Sequence, residues 1–231
     1  MRRVVRVGAV LLGLALALFI LLQAWFAVQI LWWRDHPPRE TAFMAMRLSD
    51  LKEKDAHAKL HYQFVDYGRI SEQLKRAMIA AEDSRFVEHE GFDWDGIQQA
   101  MDKNMRKGHV VAGGSTITQQ LAKNLFLSAQ KSYVRKGEEA IITVMLENLL
   151  DKERIFELYL NVIEWGTGIF GCEAAAHRYF AVSCAQLSAP QAARLAAMAP
   201  NPRFYERNPN ARGLARKTSI ILARMPSSDL P

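Results

Sequence analysis

The sequence predicts a mainly α-helical domain that follows one N-terminal transmembrane helix. The chain opens on an uncharged apolar run, and amphipathic helical patterns dominate the remainder while strand patterns are scarce. Half of its 231 residues are hydrophobic and 23% are charged, which is typical of globular proteins and not of disordered ones. This length suffices for one sizeable domain with an appendage.

The first predicted element is a membrane anchor. Residues 7–33 include no charged side chain, and about 20 apolar residues are enough for a helix to span a bilayer. A cleaved signal peptide is the alternative, but its apolar region has about 7–15 residues before a small-residue cleavage site. Here the apolar run continues well past Ala15 and Ala17, which favours an uncleaved anchor.

The residues around this span predict its orientation. Three arginines precede it, and Trp25, Trp32 and Trp33 cluster in its second half, where interfacial aromatic residues belong. The positive-inside rule then places the N-terminus in the cytoplasm and the remaining ~200 residues outside. Nucleic acid is therefore a poor partner for the domain, despite the net charge of +6.

The chain divides into four predicted parts. They are the cytoplasmic N-terminus with the anchor (1–34), a juxtamembrane connector (35–66), the helical domain (67–225) and a tail (226–231). The predicted helices of the domain run from Ser71 to about Arg85, from Ser115 or Thr116 onward, from Glu138 to Asn161, from Ser188 to Met198, and up to about Met225. The third is one long helix or two helices that meet near Asp151. Ser188 opens a capping box, and the prolines among residues 200–209 mark a loop.

Two carboxylates stand near the end of the first of these helices. Glu82, Phe86 and His89 are i, i+4 and i+7, so a continuous helix would present all three on one face. A carboxylate whose pKa is held near the working pH can perform acid–base chemistry on a sugar hydroxyl or glycosidic oxygen. The alternative for Glu82 and Asp83 is an acidic pair that faces solvent, but solvated faces rarely carry both an aromatic ring and a histidine.

A second polar segment follows some thirty residues later. Two consecutive glycines break regular structure and allow the backbone to approach a ligand closely. Thr116, Gln120, Lys123 and Asn124 then fall at i, i+4, i+7 and i+8 of a predicted helix. Such a face can bind hydroxyls and acetamido groups while the lysine meets a phosphate. An ordinary polar outer face is the alternative.

Positive charge is concentrated in residues 103–137. This stretch has no Asp or Glu, and its seven basic residues are Lys103, Arg106, Lys107, Lys123, Lys131, Arg135 and Lys136. It is a candidate site for an anion or a surface that faces anionic lipid headgroups, and a merely solvated stretch is the alternative. Arg135 and Glu139 are i and i+4, so they can pair on one helix face and, in a cleft, hold a second carboxylate beside a cation.

Cys172 and Cys184 fall in the external part of the chain. An oxidising compartment permits a disulfide that closes this short loop, and two buried free thiols are the alternative. The six histidines have no metal-ligand spacing with each other or with the cysteines, so the sequence predicts no metal site.

Several motifs resemble, in order, those of the peptidoglycan glycosyltransferases. They are AxxAAEDxxFxxHxGxD at 77–93, GSTITQQLAKN at 114–124, RKxxEA at 135–140 and LYLN at 158–161, with Gly166 and Gly171 beyond them. The resemblance covers roughly residues 67–225, becomes loose after Pro202 and does not include the two cysteines. One anchor and no penicillin-binding domain make the chain similar to the monofunctional members of this family.

This resemblance implies a lysozyme-like helical domain with a small jaw lobe at the membrane, and polymerisation of lipid II into glycan strands. It implies that Glu82 is the general base on the 4-hydroxyl of the acceptor, and that polyprenyl diphosphate leaves the growing strand with inversion. Glu139 matches the second carboxylate of the cleft, which orients a cation or assists the leaving group. The matched positions expected to bind substrate are Asp83, Phe86, His89, Thr116, Gln120, Lys123, Asn124 and Arg135. Among these, Lys123 and Arg135 are expected at the diphosphates.

The resemblance also implies partners and a location. No cofactor is expected to be required, and Mg²⁺ or Mn²⁺ at the diphosphate is left open. Expected partners are lipid II, the growing glycan strand, membrane lipids and other cell-wall synthesis proteins. The expected location is the bacterial inner (cytoplasmic) membrane, in a single pass with the catalytic domain in the periplasm.

Two other functions stay open at this point. One is a membrane-anchored lytic or hydrolytic enzyme of the same lysozyme-like architecture that cuts finished glycan, and the other is a non-catalytic scaffold for cell-wall synthesis. The basic stretch favours a donor that carries a diphosphate over a neutral sugar polymer.

Overall fold

The computed structural model describes residues 2–109, 113–128, 130 and 132–231. Its α-helices are α1 (Arg2–Asp35), α2 (Ala42–Lys52), α3 (Glu72–Glu82), α4 (Trp94–Lys107), α5 (Ile117–Phe126), α6 (Tyr133–Leu149), α7 (Lys152–Val162), α8 (Cys172–Phe180), α9 (Ala189–Met198), α10 (Pro202–Arg207) and α11 (Arg212–Arg224). Short 3₁₀ turns lie at Tyr67–Arg69, Cys184–Gln186 and Met225–Ser227. The predicted mainly α-helical class is confirmed. Lys131 of the basic stretch lies outside the described residues.

A small sheet joins the connector to the domain. Its strands are β1 (His61–Tyr62), β2 (Glu164–Gly166) and β3 (Ile169–Phe170), in the order β1-β3-β2. β1 runs parallel to β3 and places His61 opposite Ile169, whereas β2 is antiparallel and places Glu164 opposite Phe170. The sheet therefore anchors residues near position 60 to the segment that follows α7.

The N-terminal helix is long and apolar enough to cross a membrane. The candidate span is Val5–Asp35, within a helix of 34 residues. Side chains 5–22 are exposed, as expected of a surface that meets lipid, whereas Ile30 and Trp33 are buried. The structure thus has the predicted apolar helix, with its second half packed on the domain.

The centre of the core is α7. Ile155, Phe156, Leu158, Leu160 and Val162 are completely buried on this helix, and each such side chain contributes roughly 1.5–3 kcal/mol on burial. α5 packs against α6 and α7, and α3 packs against α9 and α11. The two helices that carry the polar motifs, α3 and α5, are therefore fixed on a rigid support.

Most predicted helix ends agree with the structure. The long helical segment is two helices, α6 and α7, and the Asp151 carboxylate caps α7 by accepting a hydrogen bond from the Arg154 N–H at 2.7 Å. α9 begins with the predicted capping box of Ser188 and Gln191, with Pro190 in its first turn. Thr116 caps α5 in a capping box with Gln119.

The prediction of one helical face for Glu82, Phe86 and His89 is wrong. α3 ends at Glu82, because Asp83 leaves the helix with φ −161° and ψ 79°. This turn lets the Asp83 carboxylate accept a hydrogen bond from the Ile117 N–H at 3.0 Å, which a residue continuing α3 could not do. The tertiary contact overrides the helical pattern.

Two loops or linkers contain more structure than predicted. The short helix α10 begins at Pro202, since proline fits the first turn of a helix, where its missing N–H has no role. The connector at 35–66 contains α2 and β1, and α2 packs on α5. Between the two polar motifs lies α4, in which only Ala100 of 14 residues is buried.

A disulfide links Cys172 at the start of α8 to Cys184, with the two Cα atoms 5.7 Å apart. Both cysteines are completely buried. The sequence left open a disulfide or two free thiols, and the structure has the disulfide.

Replacing both cysteines (Cys172→Ala with Cys184→Ala) is expected to lower the free energy of unfolding by about 3 kcal/mol, because an open chain has more conformations when unfolded. Thermal unfolding with and without reductant checks this. Reductant should lower the Tm of the wild type and leave that of the double variant unchanged. Equal Tm values for both proteins in oxidising buffer would contradict the prediction.

Candidate active site

Three adjoining cavities form a polar cleft along α5, and each is lined by at least one buried or half-buried carboxyl group. The Glu82 cavity (about 180 Å³) lies between the end of α3 and Ser115. The Glu139 cavity (about 370 Å³) shares Ser115 with it. The Glu164 cavity (about 290 Å³) shares Gln120 and Lys123 with the Glu139 cavity. A substrate can therefore span all three.

Glu82 has one bonded and one unbonded carboxyl oxygen. Its Oε2 accepts a hydrogen bond from Gln120 Nε2 at 2.7 Å. Its Oε1 is buried and has no hydrogen-bond partner among the described residues. This oxygen therefore keeps its capacity to accept a hydrogen bond.

Burial raises the pKa of Glu82, and the nearby Asp83 carboxylate adds to this increase. The hydrogen bond from Gln120 and the charges of Lys123 and Lys217 lower the pKa, but burial dominates. The position of Glu82 at the carboxyl end of α3 is also unfavourable for a negative charge, because the helix dipole is negative there. A carboxylate in this environment binds a proton more strongly than an exposed one, as a general base requires.

A buried tyrosine orients the amide that contacts Glu82. The Tyr159 hydroxyl, on the completely buried side of α7, donates to Gln120 Oε1 at 3.1 Å. The amide nitrogen of Gln120 is thereby directed to Glu82. Asn124 supports the same turn of α5, since its Nδ2 donates to the Gln120 carbonyl oxygen at 2.7 Å.

Asp83 and Thr116, two of the residues predicted to bind substrate, line the Glu82 cavity, and together with His89 they also make contacts within the protein. Asp83 accepts hydrogen bonds from the Ile117 N–H and from His89 Nε2, both at 3.0 Å. Thr116 caps α5, and its hydroxyl donates to the Gly91 carbonyl oxygen at 2.7 Å. The buried residues Asp83 and Thr116, with His89, therefore position α5.

Phe86 belongs to the core. Its ring is completely buried and lies 5.4 Å from the ring of Phe156, centroid to centroid. Contact with a saccharide in the cleft requires an exposed ring edge, so the structure does not support a direct binding role for Phe86.

The predicted cations do meet in the cleft. Lys123 lines both the Glu139 and the Glu164 cavities, and its ammonium has no hydrogen bond or ion pair within the described residues. Burial lowers its pKa, Glu139 and Glu82 raise it, and Arg135 and Lys136 lower it. Lys123 is thus an unpaired cation beside both carboxylates.

Glu139 is paired on both sides. Arg135 Nη1 donates to Glu139 Oε2 at 2.6 Å, which confirms the predicted i, i+4 pair, and Lys136 Nζ donates to Oε1. Glu139 is buried, so the charges of Arg135 and Lys136 offset the cost of burying this carboxylate. The three side chains form a fixed group with a net positive charge.

Sequence reasoning missed the residues that line the Glu164 cavity. Arg47, from the segment predicted to be a connector, donates from Nε to Glu164 Oε2 at 3.1 Å, across 117 positions of sequence. Phe43, Asn201 and Arg203 also line this cavity. Burial raises the pKa of Glu164, and Arg47 and Arg203 lower it. No local pattern in the sequence indicates these contacts.

Comparison with known proteins identifies the family. A transglycosylase family model matches residues 49–226 of the chain. The chain belongs to this transglycosylase family. It is 63% identical to a biosynthetic peptidoglycan transglycosylase of Dechloromonas aromatica, over 96% of this chain and 95% of that protein.

Two further relatives carry the same name. The protein of Janthinobacterium sp. is 62% identical over 93% of each chain, and that of Chromobacterium violaceum is 57% identical over 96% of this chain and 97% of its own. The transglycosylase is accordingly a glycosyltransferase of peptidoglycan biosynthesis, as the resemblance implied.

The rate of glycosyl transfer by this transglycosylase should depend on the protonation of Glu82. Only the deprotonated carboxylate accepts a proton, so kcat/KM should rise with pH through a pKa above the ordinary value of 4.5. Gln120→Met removes a donor to the charged form, so it should raise the pKa of Glu82 and move this acid limb to higher pH.

The pH profile of kcat/KM for wild type and Gln120→Met measures the effect. Tyr159→Phe is the matched control, because it keeps the Gln120 amide and should move the limb less. An acid limb at or below 4.5 in the wild type, or the same limb in Gln120→Met, would contradict the assignment.

Proposed function

We propose that this transglycosylase polymerises lipid II by inverting glycosyl transfer, with Glu82 as the general base. The 4-hydroxyl of the acceptor gives its proton to Glu82 as its oxygen attacks the anomeric carbon of the growing strand. The bond between that carbon and the diphosphate breaks, and polyprenyl diphosphate leaves with the electron pair. The new glycosidic bond has the inverted configuration.

The observation that carries this proposal is that the base and a group of three cations line neighbouring cavities of one cleft. Glu82, with its raised pKa and free Oε1, lines one cavity, whereas Lys123, Arg135 and Lys136 line the next. Ser115 borders both cavities. One substrate can therefore reach the proton acceptor in the first cavity and the cations that stabilise the leaving group in the second.

The leaving diphosphate is assigned to the Glu139 cavity. Preorganised cations stabilise negative charge as it develops in the transition state, and they do so strongly where water is excluded. Within the described residues, Lys123 has no hydrogen bond or ion pair to release before it binds a phosphate. Arg135 and Lys136 are held by Glu139, so we assign Glu139 the role of orienting these cations and not of a second base.

The described residues do not fit a protein-held metal. They include no group of three or more His, Cys, Asp or Glu side chains that could hold an ion, and cations occupy both oxygens of Glu139. We infer that Lys123, Arg135 and Lys136 supply the positive charge from the protein. A Mg²⁺ or Mn²⁺ ion at the diphosphate would then be held chiefly by phosphate oxygens of the substrate.

The apolar helix α1 suits an enzyme whose substrates are lipid-linked. Anchoring enzyme and substrate in one membrane raises their effective concentration. We propose a single pass through the bacterial inner membrane, with the N-terminus in the cytoplasm and the catalytic domain in the periplasm. Lipid II, the growing glycan strand and membrane lipids are the proposed partners, with other cell-wall synthesis proteins beside them.

Glu82→Gln should reduce polymerisation of lipid II by between about 100-fold and 10,000-fold, the usual contribution of a general base. The fold should persist. Burial raises the pKa of Glu82, so its charged form costs stability near neutral pH; the variant should have an equal or higher Tm there, and this gain should vanish as pH falls through the raised pKa.

The measurements are glycan length after incubation with lipid II, and thermal unfolding at several pH values. Glu88→Gln is the matched control, because Glu88 is exposed and lies six residues away in the chain. Normal polymerisation by Glu82→Gln would remove Glu82 from the mechanism, whereas an absence of polymerisation by both wild type and variant would favour a non-catalytic role for the chain.

Lys123→Ala should lower kcat/KM for lipid II by about 100-fold to 1,000-fold, as expected when one group that stabilises developing charge is lost. Its Tm should not fall, because burial lowers the pKa of Lys123 and the buried charge therefore costs stability. Steady-state kinetics measure this effect. Lys52→Ala is the control, because Lys52 is an exposed lysine on α2. Unchanged kinetics in Lys123→Ala would exclude this lysine from the diphosphate site.

A further inference from the structure

The helix α1 is longer than a bilayer requires. Residues 5–22 are exposed, and these eighteen residues extend about 27 Å, close to the ~30 Å hydrocarbon core of a bilayer. The same helix continues without a break to Asp35, and one face of residues 23–35 is covered by the domain. α1 thus has a lipid-facing part (5–22) and a docked part (23–35).

The docked part contacts α5, the helix that carries Lys123. Phe26, Ile30 and Trp33 fall at i, i+4 and i+7, and Ile30 is completely buried. The ring of Phe126, at the end of α5, lies 4.6 Å from that of Phe26 and 5.3 Å from that of Trp33. Phe126 follows Lys123 by three residues, which is about one helical turn. The anchor and the diphosphate site are therefore neighbours on α5.

Three hydrogen bonds hold the carboxyl end of α1 and the residues that follow it. Arg154 donates from Nε to the Trp33 carbonyl oxygen at 2.7 Å, and from Nη2 to the His36 carbonyl oxygen at 2.8 Å. The Tyr62 hydroxyl donates to the Pro38 carbonyl oxygen at 2.7 Å. A guanidinium suits this position, because the last carbonyls of a helix lack partners and carry partial negative charge.

Arg154 is itself fixed. Its side chain is mostly buried, Nη1 pairs with Glu157, and the guanidinium lies 5.5 Å from the centroid of the Phe64 ring. It stands on α7, the core helix that also carries Tyr159. Arg154 therefore belongs to the rigid part of the domain. Through its hydrogen bonds, the position of α1 is transmitted to the cleft.

We propose that Arg154, with Tyr62, is a positioning residue that locks the anchor helix to the catalytic domain and so fixes the height of Lys123 above the bilayer. The diphosphate of a lipid-linked substrate lies at the membrane surface, at a height set by its prenyl chain. A flexible tether would keep the enzyme at the membrane but leave this height variable. The inference rests on the proposed function, because it assumes a membrane-bound diphosphate substrate.

The test compares two substrates with full-length protein. One is lipid II in phospholipid vesicles, and the other is a lipid II analogue with a short prenyl chain, dispersed in detergent, where no bilayer sets a height. Arg154→Gln should lower kcat/KM in vesicles by between about tenfold and 100-fold, since a misplacement near 1 Å can cost 100-fold, and should leave the detergent rate within about twofold of wild type.

Arg76→Gln is the matched control. Arg76 also donates to a main-chain carbonyl, that of Ser228 at 2.7 Å, and also pairs with a glutamate, Glu72, but it stands on α3. Its vesicle-to-detergent ratio should equal that of the wild type. Tyr62→Phe removes one of the three hydrogen bonds without an ionic partner, so it should shift the ratio in the same direction by less, and it carries the test if Arg154→Gln does not fold.

The ratio of the two rates decides the outcome. An equal fall in kcat/KM with both substrates in Arg154→Gln would make Arg154 a purely structural residue and overturn the proposal. An unchanged vesicle-to-detergent ratio in Tyr62→Phe would also overturn it. Failure of the wild type to polymerise either substrate would instead overturn the proposed function, so the two failures are distinguishable.

Discussion

The arrangement of this active site depends on where the Asp83 carboxylate binds. Asp83 leaves α3 immediately after Glu82 and accepts the first N–H of α5, that of Ile117, at 3.0 Å. A carboxylate is well suited to this place, because the amino end of a helix presents unpaired N–H groups and positive dipole. This single contact joins the end of one motif to the start of the other. Glu82 and Gln120 meet because of it.

The environments of the three carboxyl groups explain their different roles. The carboxylate of Glu139 lies between Arg135 and Lys136, and that of Glu164 accepts a hydrogen bond from Arg47. Each of these two carboxylates is therefore paired with at least one cation. Burial raises the pKa of both Glu82 and Glu164, but Glu82 has a neutral amide as its hydrogen-bond partner and no ion pair within the described residues. The cleft thereby separates the proposed proton acceptor from carboxylates that hold cations in place.

Much of the candidate site was predictable from local sequence. The sequence did not show which of these side chains line the cleft and which only hold the helices in place. The spacing of Gln120 and Lys123 placed both on one face of α5, and the spacing of Arg135 and Glu139 predicted their ion pair. The family resemblance also assigned Phe86 to the substrate. Burial decides that question, and burial depends on α7, which packs against Phe86 from 70 positions later in the chain.

The sequence by itself determined the apolar anchor, the helical class, the capping box of α9, and the family. These depend on the order and period of side chains within short segments. Only the tertiary structure decided that α3 ends at Glu82, that Arg47 reaches Glu164, and that the second half of α1 docks on the domain. Such contacts join residues far apart in the chain, and their geometry follows from how the helices pack and not from any pattern within one of them.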